Sequence, residues 1–350
     1  MLGMVVYLVL LIVVLFASWC LTGLIRRYAL AKSLVDVPNH RSSHSVPVPR
    51  GGGLSLVVVV LLALPLLWLA GELDAALLIA LLGGGGMVAL IGFMDDHGHI
   101  AARWRLLAHF FGAAWVLVWL GGFPPLNVLG GEWNLGIVGV VIAAVYLVWL
   151  LNLYNFMDGI DGIASLEAVT VCFGAVLMMV IALPDAYGFI LTLLVLTAAS
   201  IGFLIWNFPK AKIFMGDACS GFLGLMLGTL SIQAAWLEPK LFWCWLILLG
   251  VFIVDATVTL IRRVLRGDKF YQAHRSHAYQ FASRKYQSHV KVSIGVALIN
   301  LFWLLPVGLC VALEWLEGVL GVVIAYLPLL LLAYKLNAGG REQETNVLSN

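Results

Sequence analysis

Charge is what this sequence has least of. Only 11% of its 350 residues are Asp, Glu, Lys or Arg, against roughly 25% in a soluble domain. That scarcity excludes an ordinary water-soluble globule. The formal net charge of +2 gives no basic surface for a nucleic acid, so no nucleic-acid partner is expected. Cysteine is sparse as well. Cys20, Cys172, Cys219, Cys244 and Cys310 lie in or beside apolar runs without CxxC spacing. This excludes a disulfide framework and a cysteine zinc site, and leaves small buried hydrophobes. The first apolar run has neither a basic leader nor an A-x-A cleavage site, so it is expected to be a retained span. No internal repeat is present.

What the chain has in abundance is apolar length: 63% hydrophobic residues and a mean hydropathy of +1.04. Eleven apolar runs cover residues 4–25, 53–71, 75–94, 105–122, 135–152, 163–183, 188–206, 219–237, 241–261, 291–313 and 318–335. Each is close to the length that crosses a bilayer as a helix. A helix satisfies its own backbone polar groups in lipid. The expected fold is therefore all-α: a polytopic membrane protein of about 11 transmembrane helices. Residues 1–336 are expected to form one membrane domain, and 337–350 a polar, disordered tail. Gly83 to Gly86 in the third run suit close helix approach. Pro65 and Pro306 are expected kinks.

Basic residues choose the orientation. With the amino terminus outside, in the periplasm, and the carboxyl terminus cytoplasmic, nineteen of the twenty Lys and Arg fall inside; Lys240 alone falls outside. The unusual polar motifs also fall on that inner side. They are Asn39 to His44 with Pro49-Arg50-Gly51-Gly52-Gly53, then Asp95-Asp96-His97-Gly98-His99, then Asn152 to Gly162. Asn207 to Asp217 and His274-Arg275-Ser276-His277 follow. Seven of the eight histidines lie in these loops. Five loops can thus meet on one face.

Asn152-Leu-Tyr-Asn155-Phe-Met-Asp158-Gly159-Ile-Asp161-Gly162 joins two apolar runs and carries two carboxylates and two carboxamides. Carboxylates are costly in a bilayer, so this cluster marks a polar site at the membrane surface. Helix N-capping accounts for Asp161 but not for the whole set. Asp95 and Asp96 end a helix where they oppose its dipole, a cost that favours function over a bland charged end. Adjacent carboxylates suit a hard divalent ion, or a base with a raised pKa. Asp217 reads as an N-cap or as a ligand, and Phe214 as an exposed aromatic that stacks on a base or anchors in headgroups. Asp255, inside a run, reads as a structural buried acid. His274 and His277 share a face if their segment is helical; zinc would require further N or S ligands. Gly51 to Gly53 suit either a phosphate cradle or tight packing.

In this order and spacing the motifs resemble those of the polyprenyl-phosphate N-acetylhexosamine-1-phosphate transferase superfamily (the glycosyltransferase family 4 and phospho-N-acetylmuramoyl-pentapeptide transferase type). Asn39 to His44 and Ala273 to Tyr279 look most like the O-antigen-initiating branch. The resemblance implies transfer of an N-acetylhexosamine-1-phosphate (GlcNAc, FucNAc or QuiNAc type) from a UDP-N-acetylhexosamine to undecaprenyl phosphate, with release of UMP. It implies Mg2+, with Mn2+ as a substitute, a homodimer, and a site on the cytoplasmic face of the bacterial inner membrane. Asp217 matches the family's metal-binding aspartate, and Asp95 and Asp96 its paired acids, which are also assigned to the metal. Asp158, Asp161, His274 and His277 join the paired acids as catalytic candidates. Asn155, Asp158, Gly159, Asp161 and Phe214 match the family's nucleoside-side pocket, and Asn152 is a further substrate contact. His44, Arg50 and Arg275 are further substrate contacts, and the basic residue after the paired acids is Arg103 or Arg105. Two phosphates must approach each other, so negative charge is the central problem, and Asp95 ranks as ligand or orienter at least as highly as base. The alternative is a cation-coupled transporter built on Asp158, Asp161 and Asp255, although such sites usually lie near the bilayer midplane.

Overall fold

The computed structural model describes residues 2–36, 47–98, 100–268 and 274–341. Every apolar run falls on helix. In chain order these are α1 (Leu2–Ala31), α2 (Leu54–Leu69), α3 (Ala75–Gly98), α4 (Ala102–Leu120), α5 (Gly136–Met157), α6 (Ile163–Ala182) and α7 (Tyr187–Asn207). There follow α8 (Asp217–Leu237), α9 (Lys240–Leu248), α10 (Gly250–Leu265), α11 (Ala278–Tyr286), α12 (His289–Ile299), α13 (Leu305–Ala312) and α14 (Gly318–Lys335). Two short hairpins, β1 (Val35–Asp36) with β2 (Val48–Pro49) and β3 (Leu126–Val128) with β4 (Gly131–Trp133), sit in loops. Among the described residues eight helices are long and apolar enough to cross a membrane, or nine if α9 and α10 count as one span. This is an all-α polytopic membrane protein.

Burial separates the helices by role. α8 is buried along nearly its whole length, whereas α1 turns a row of large apolar side chains outward, including Leu8, Ile12 and Phe16. Against lipid such a face needs no cover. α3, α4 and α5 pack around α8; α1, α2 and α6 pack on α7. The glycine run of α3 serves the expected close approach: Gly83 lies under Trp115, and Gly85 under Phe222 of α8.

Several expectations need correction. The run 241–261 is not one straight helix. It breaks at Leu249 with a 70° bend, and no proline is involved. The bend carries the polar half of α10, with Asp255, Thr259 and Arg263 buried, across to α11. α2 continues unbroken through Pro65, whereas Pro306 follows a π-helical turn, Asn300–Leu304. α3 extends through Gly98, so Asp95, Asp96 and His97 occupy its last turn instead of a loop. The start of the expected loose tail is packed: Ala338 is buried, Arg266 donates to the Gly339 carbonyl (2.7 Å), and the Gly339 N–H donates to the Ser276 carbonyl (2.6 Å).

Candidate active site

The site forms where the end of α3 meets the start of α8. Gly92 makes the meeting possible: a Cβ there would lie 2.6 Å from the Asp217 carbonyl oxygen and 2.7 Å from the Ala218 Cα. With the backbones this close, the Ala218 N–H donates to Asp96 Oδ2 (3.3 Å). The free amides of one helix start thereby compensate the acids at another helix's end. Gly216, at φ +84°, turns the chain into α8, and its Cβ position lies 2.8 Å from Asp96 Oδ2. Asp217 is the first residue of α8, with Gly216 as the cap, so it is not itself the N-cap.

Two arginines hold the paired acids. Arg105 of α4 forms ion pairs with Asp95 and with Asp217 (3.2 Å to the latter). Arg50 pairs with Asp96 (3.2 Å) and also donates to the Asp96 carbonyl oxygen (2.7 Å). Asp95 also accepts from the Ile100 N–H (2.6 Å), closing the turn into α4. Of the two alternatives for the basic residue, Arg105 reaches the carboxylates. Arg103 is exposed and lies over the Trp104 ring, 5.5 Å from its centroid.

The end of α5 supplies the third side. Asn155 donates to Ser220 Oγ (3.0 Å) and lies within hydrogen-bonding reach of Asp217. Asn152 donates to the Val148 carbonyl (2.7 Å) and faces His109 at 3.5 Å. Arg105, His109, Asn152, Asn155, Phe156 and Asp217 line a narrow cleft of about 30 Å³, enough for a single water. Asp158, just past α5, keeps a strip of accessible surface but is densely surrounded by protein. Burial, and then the nearby Asp217 and Asp96 carboxylates, push its carboxyl well above the usual carboxylate range. Four acids from three separate segments therefore crowd one end of the bundle.

Other expected site residues have different partners. Asp161 does not cap α6, whose N-cap is Gly162 without a side-chain bond. Instead it accepts from the Ala211 N–H (3.1 Å) and pairs with His289 at 3.1 Å, tying the 158–162 loop to α12. Phe214 is half-buried, not exposed; its N–H donates to the Pro49 carbonyl and its carbonyl accepts from Gly52. That same pairing uses the Gly52 and Gly53 amides (2.9 and 3.0 Å), so packing is the better account of the glycine triplet than a phosphate cradle. His274 and His277 do stack, with centroids 4.9 Å apart, but on extended chain before α11 and not on a helical face. His277 also lies 6.3 Å from the Phe156 ring, which brings it to the edge of the cleft. The carbonyl of half-buried Arg275 accepts from Arg284 (3.1 Å). His44, with residues 37–46, lies outside the described residues.

Two positioning residues, Asn207 and Tyr279, escape the sequence reading. Buried Asn207 accepts from the Gly162 N–H and donates to the Ile213 carbonyl (both 3.0 Å), joining two site loops. The Tyr279 hydroxyl donates to the Phe156 carbonyl (3.0 Å). Asp255 is the structural acid expected, and its task is specific. It accepts from the Ala278 and Tyr279 N–H groups (2.8 and 3.0 Å) and contacts Thr259 and His277, so it fixes the start of α11. An acid within a span is the signal that flagged it in the sequence.

Comparison with known proteins decides the relationship. A family model described as glycosyl transferase family 4 matches residues 77–235. A decaprenyl-phosphate N-acetylglucosaminephosphotransferase of Mycobacterium leprae is 30% identical over 322 residues, covering 79% of this chain and 77% of that protein. The chain belongs to glycosyl transferase family 4. A probable undecaprenyl-phosphate N-acetylglucosaminyl 1-phosphate transferase of Bacillus subtilis is 29% identical over 274 residues, covering 77% of this chain and 75% of the relative. A phospho-N-acetylmuramoyl-pentapeptide-transferase of Lactococcus lactis subsp. cremoris is 30% identical over 246 residues, or 66% and 71% of the two chains. The family match ends at residue 235, so it includes Asp95, Asp96, Asp158 and Asp217 but not the histidine loop. In this family member the matched segment holds all four crowded acids.

Proposed function

We propose that this protein transfers an N-acetylhexosamine-1-phosphate from a UDP-sugar to undecaprenyl phosphate and releases UMP, initiating O-antigen or another cell-envelope polysaccharide. The observation that carries the reading is the convergence of Asp95, Asp96, Asp158 and Asp217 with Arg50 and Arg105 at one end of an apolar bundle. The nucleotide sugar is soluble and the acceptor is a lipid, so their phosphates can meet only at such an end. The positive-inside pattern puts that end in the cytoplasm, in an inner-membrane protein with eleven spans, the amino terminus outside and the carboxyl terminus inside. Homodimerisation accompanies this reading.

The donor set suits Mg2+, with Mn2+ as a substitute: the converging side chains offer oxygen, and their crowding is relieved by a hard cation. Among the described residues no three His, Cys, Asp or Glu side chains form a ready metal cage. Asp217 with Asp95 or Asp96 would hold the ion, and substrate phosphates would complete it, as Mg2+ commonly requires. When bound, it neutralises diphosphate charge and stabilises the leaving UMP. Asp95 is engaged by Arg105 and the Ile100 amide, which favours an orienting role over that of a free base. A phosphate monoester is largely ionised at neutral pH and needs little help from a base. Arg50 would draw the lipid phosphate in. Asn155 and the loop from Asp158 to Gly162 face the nucleotide side.

The test is radiolabelled UMP release by membranes carrying Asp217→Ala, with product mass read from a panel of UDP-sugars. Turnover is expected to fall by about 10²–10³-fold, the usual cost of one electrostatic stabiliser of a developing charge. Near wild-type release would remove the assignment. A cation-coupled transporter would give no exchange of label between UMP and UDP-sugar.

A further inference from the structure

A second cavity shares no lining residue with the carboxylate cleft. It has a volume of about 180 Å³ and is walled by α10, α11, α12 and α14. Its lining is almost wholly apolar, with Val254, Ala282, Val296, Ile299 and Leu329 among the residues facing it. An apolar cavity near 150 Å³ stays dry and accepts a guest the size of benzene. The polar wall group, Asp255, has its oxygens committed to the Ala278 and Tyr279 amides, so it offers water little. Gly295 widens the space: a Cβ there would meet nothing within 4 Å. The mouth is basic. Lys291 is exposed and lines it; Lys285 lies over the ring of Tyr286, another lining residue, at 5.7 Å.

We propose that this cavity holds one alkyl chain of an anionic membrane phospholipid, with the headgroup phosphate between Lys285 and Lys291. Apolar volume inside a membrane protein and two cations at its mouth match an acyl chain beneath a phosphate. The occupant does not enter the carboxylate cleft. Tyr279 lines the cavity, and its hydroxyl donates to the Phe156 carbonyl; the cavity and the carboxylate cleft share no lining residue. A filled cavity supports α11, and through Tyr279 the loop that begins at Phe156. This goes beyond the proposed reaction, and its readout is binding, so it stands or falls separately.

The experiment uses the purified full chain in detergent with phosphatidylglycerol bearing a photoreactive diazirine in one acyl chain. Label is expected on the 292–299 and 329–336 segments. It should exceed that from the matching phosphatidylcholine by about thirtyfold, the worth of two lysines near an anionic headgroup at about 1 kcal/mol each. Gly295→Leu should fill the cavity and abolish that label. Gly86→Leu, at another glycine with open space, should leave it unchanged and controls for folding. Lys285→Glu with Lys291→Glu should remove the headgroup preference while keeping the fold. Equal labelling by both lipids, unchanged label in Gly295→Leu, or displacement of the label by polyprenyl phosphate in preference to phosphatidylglycerol would overturn the proposal.

Discussion

The side chains of Asp255 and Asp96 are almost equally hidden, 7% and 5% exposed, yet their surroundings differ in kind. Asp255 receives two backbone amides, and Thr259 and His277 also contact it. Asp96 receives Arg50 and the Ala218 and Asp217 amides, but shares its neighbourhood with the Asp158 and Asp217 carboxylates. Both are costly to bury. At Asp255 the protein itself supplies the compensation, and the result is a fixed helix start. Around Asp96 the acids outnumber the cations that meet them, and what is missing is positive charge. Burial alone therefore does not separate the two acids; incomplete compensation does.

The largest effect expected from breaking that contrast is at the satisfied acid. Asp255→Ala leaves the Ala278 and Tyr279 N–H groups buried without an acceptor. Each such donor costs about 1–3 kcal/mol, so a loss of about 3 kcal/mol is expected, read as a marked fall in melting temperature. Turnover falls with it, because α11 carries Tyr279 and follows the histidine pair. Asp255→Asn keeps one carbonyl oxygen and should recover part of the stability. An unchanged melting curve for the alanine variant would mean that α11 is held by other contacts.

The crowded acids should show the opposite sign. Asp158 has a folded-state pKa above its unfolded value, because of burial and then Asp217 and Asp96. The folded protein thus keeps a proton that the unfolded chain has released. Its stability must fall as pH rises from the unfolded value, about 3.9, towards the higher folded one. Below that window nothing is lost. Asp158→Asn should flatten this slope in metal-free protein and raise its melting temperature at pH 7 while leaving it unchanged at pH 4. The same variant should lose turnover. A stabilised but inactive protein is the signature of acids kept for chemistry; a destabilised one would place Asp158 with Asp255.

The helices were legible because runs of Leu, Val and Ala near 20 residues have few other uses. The crowded acids were legible for a related reason. Asp95, Asp96, Asp158 and Asp217 end or begin such runs, where charge is expensive and needs a purpose. The break at Leu249 left no signal, since it follows from where α10 must carry Asp255 and not from a proline or a glycine pair. The partners of Asp255 lie 23 and 24 residues away, so no local pattern announces the cap. The link from Asn207 to Gly162 spans 45 residues and is equally silent. Gly51 to Gly53 stayed ambiguous because a glycine triplet reads the same whether its amides meet a phosphate or the Phe214 and Met215 carbonyls.

The smallest expected effect lies between the two regions, at the contact that joins them. A Cβ at Gly159 would sit 2.1 Å from the Tyr279 hydroxyl oxygen, and 3.1 and 3.3 Å from ring atoms. Gly159→Ala must therefore shift Tyr279 and break its bond to the Phe156 carbonyl. One such bond is worth about 1 kcal/mol, and turnover should fall by a few-fold. Tyr279→Phe removes the same bond together with the atom that obstructs the methyl. If the clash with that hydroxyl is the cause, the double variant should be no worse than Tyr279→Phe alone, a non-additivity that a double-mutant cycle measures directly. Additive losses would mean that Gly159 is needed for the substrate side of the loop and not for its grip on α11. The contact would then belong with the crowded acids instead of the satisfied one.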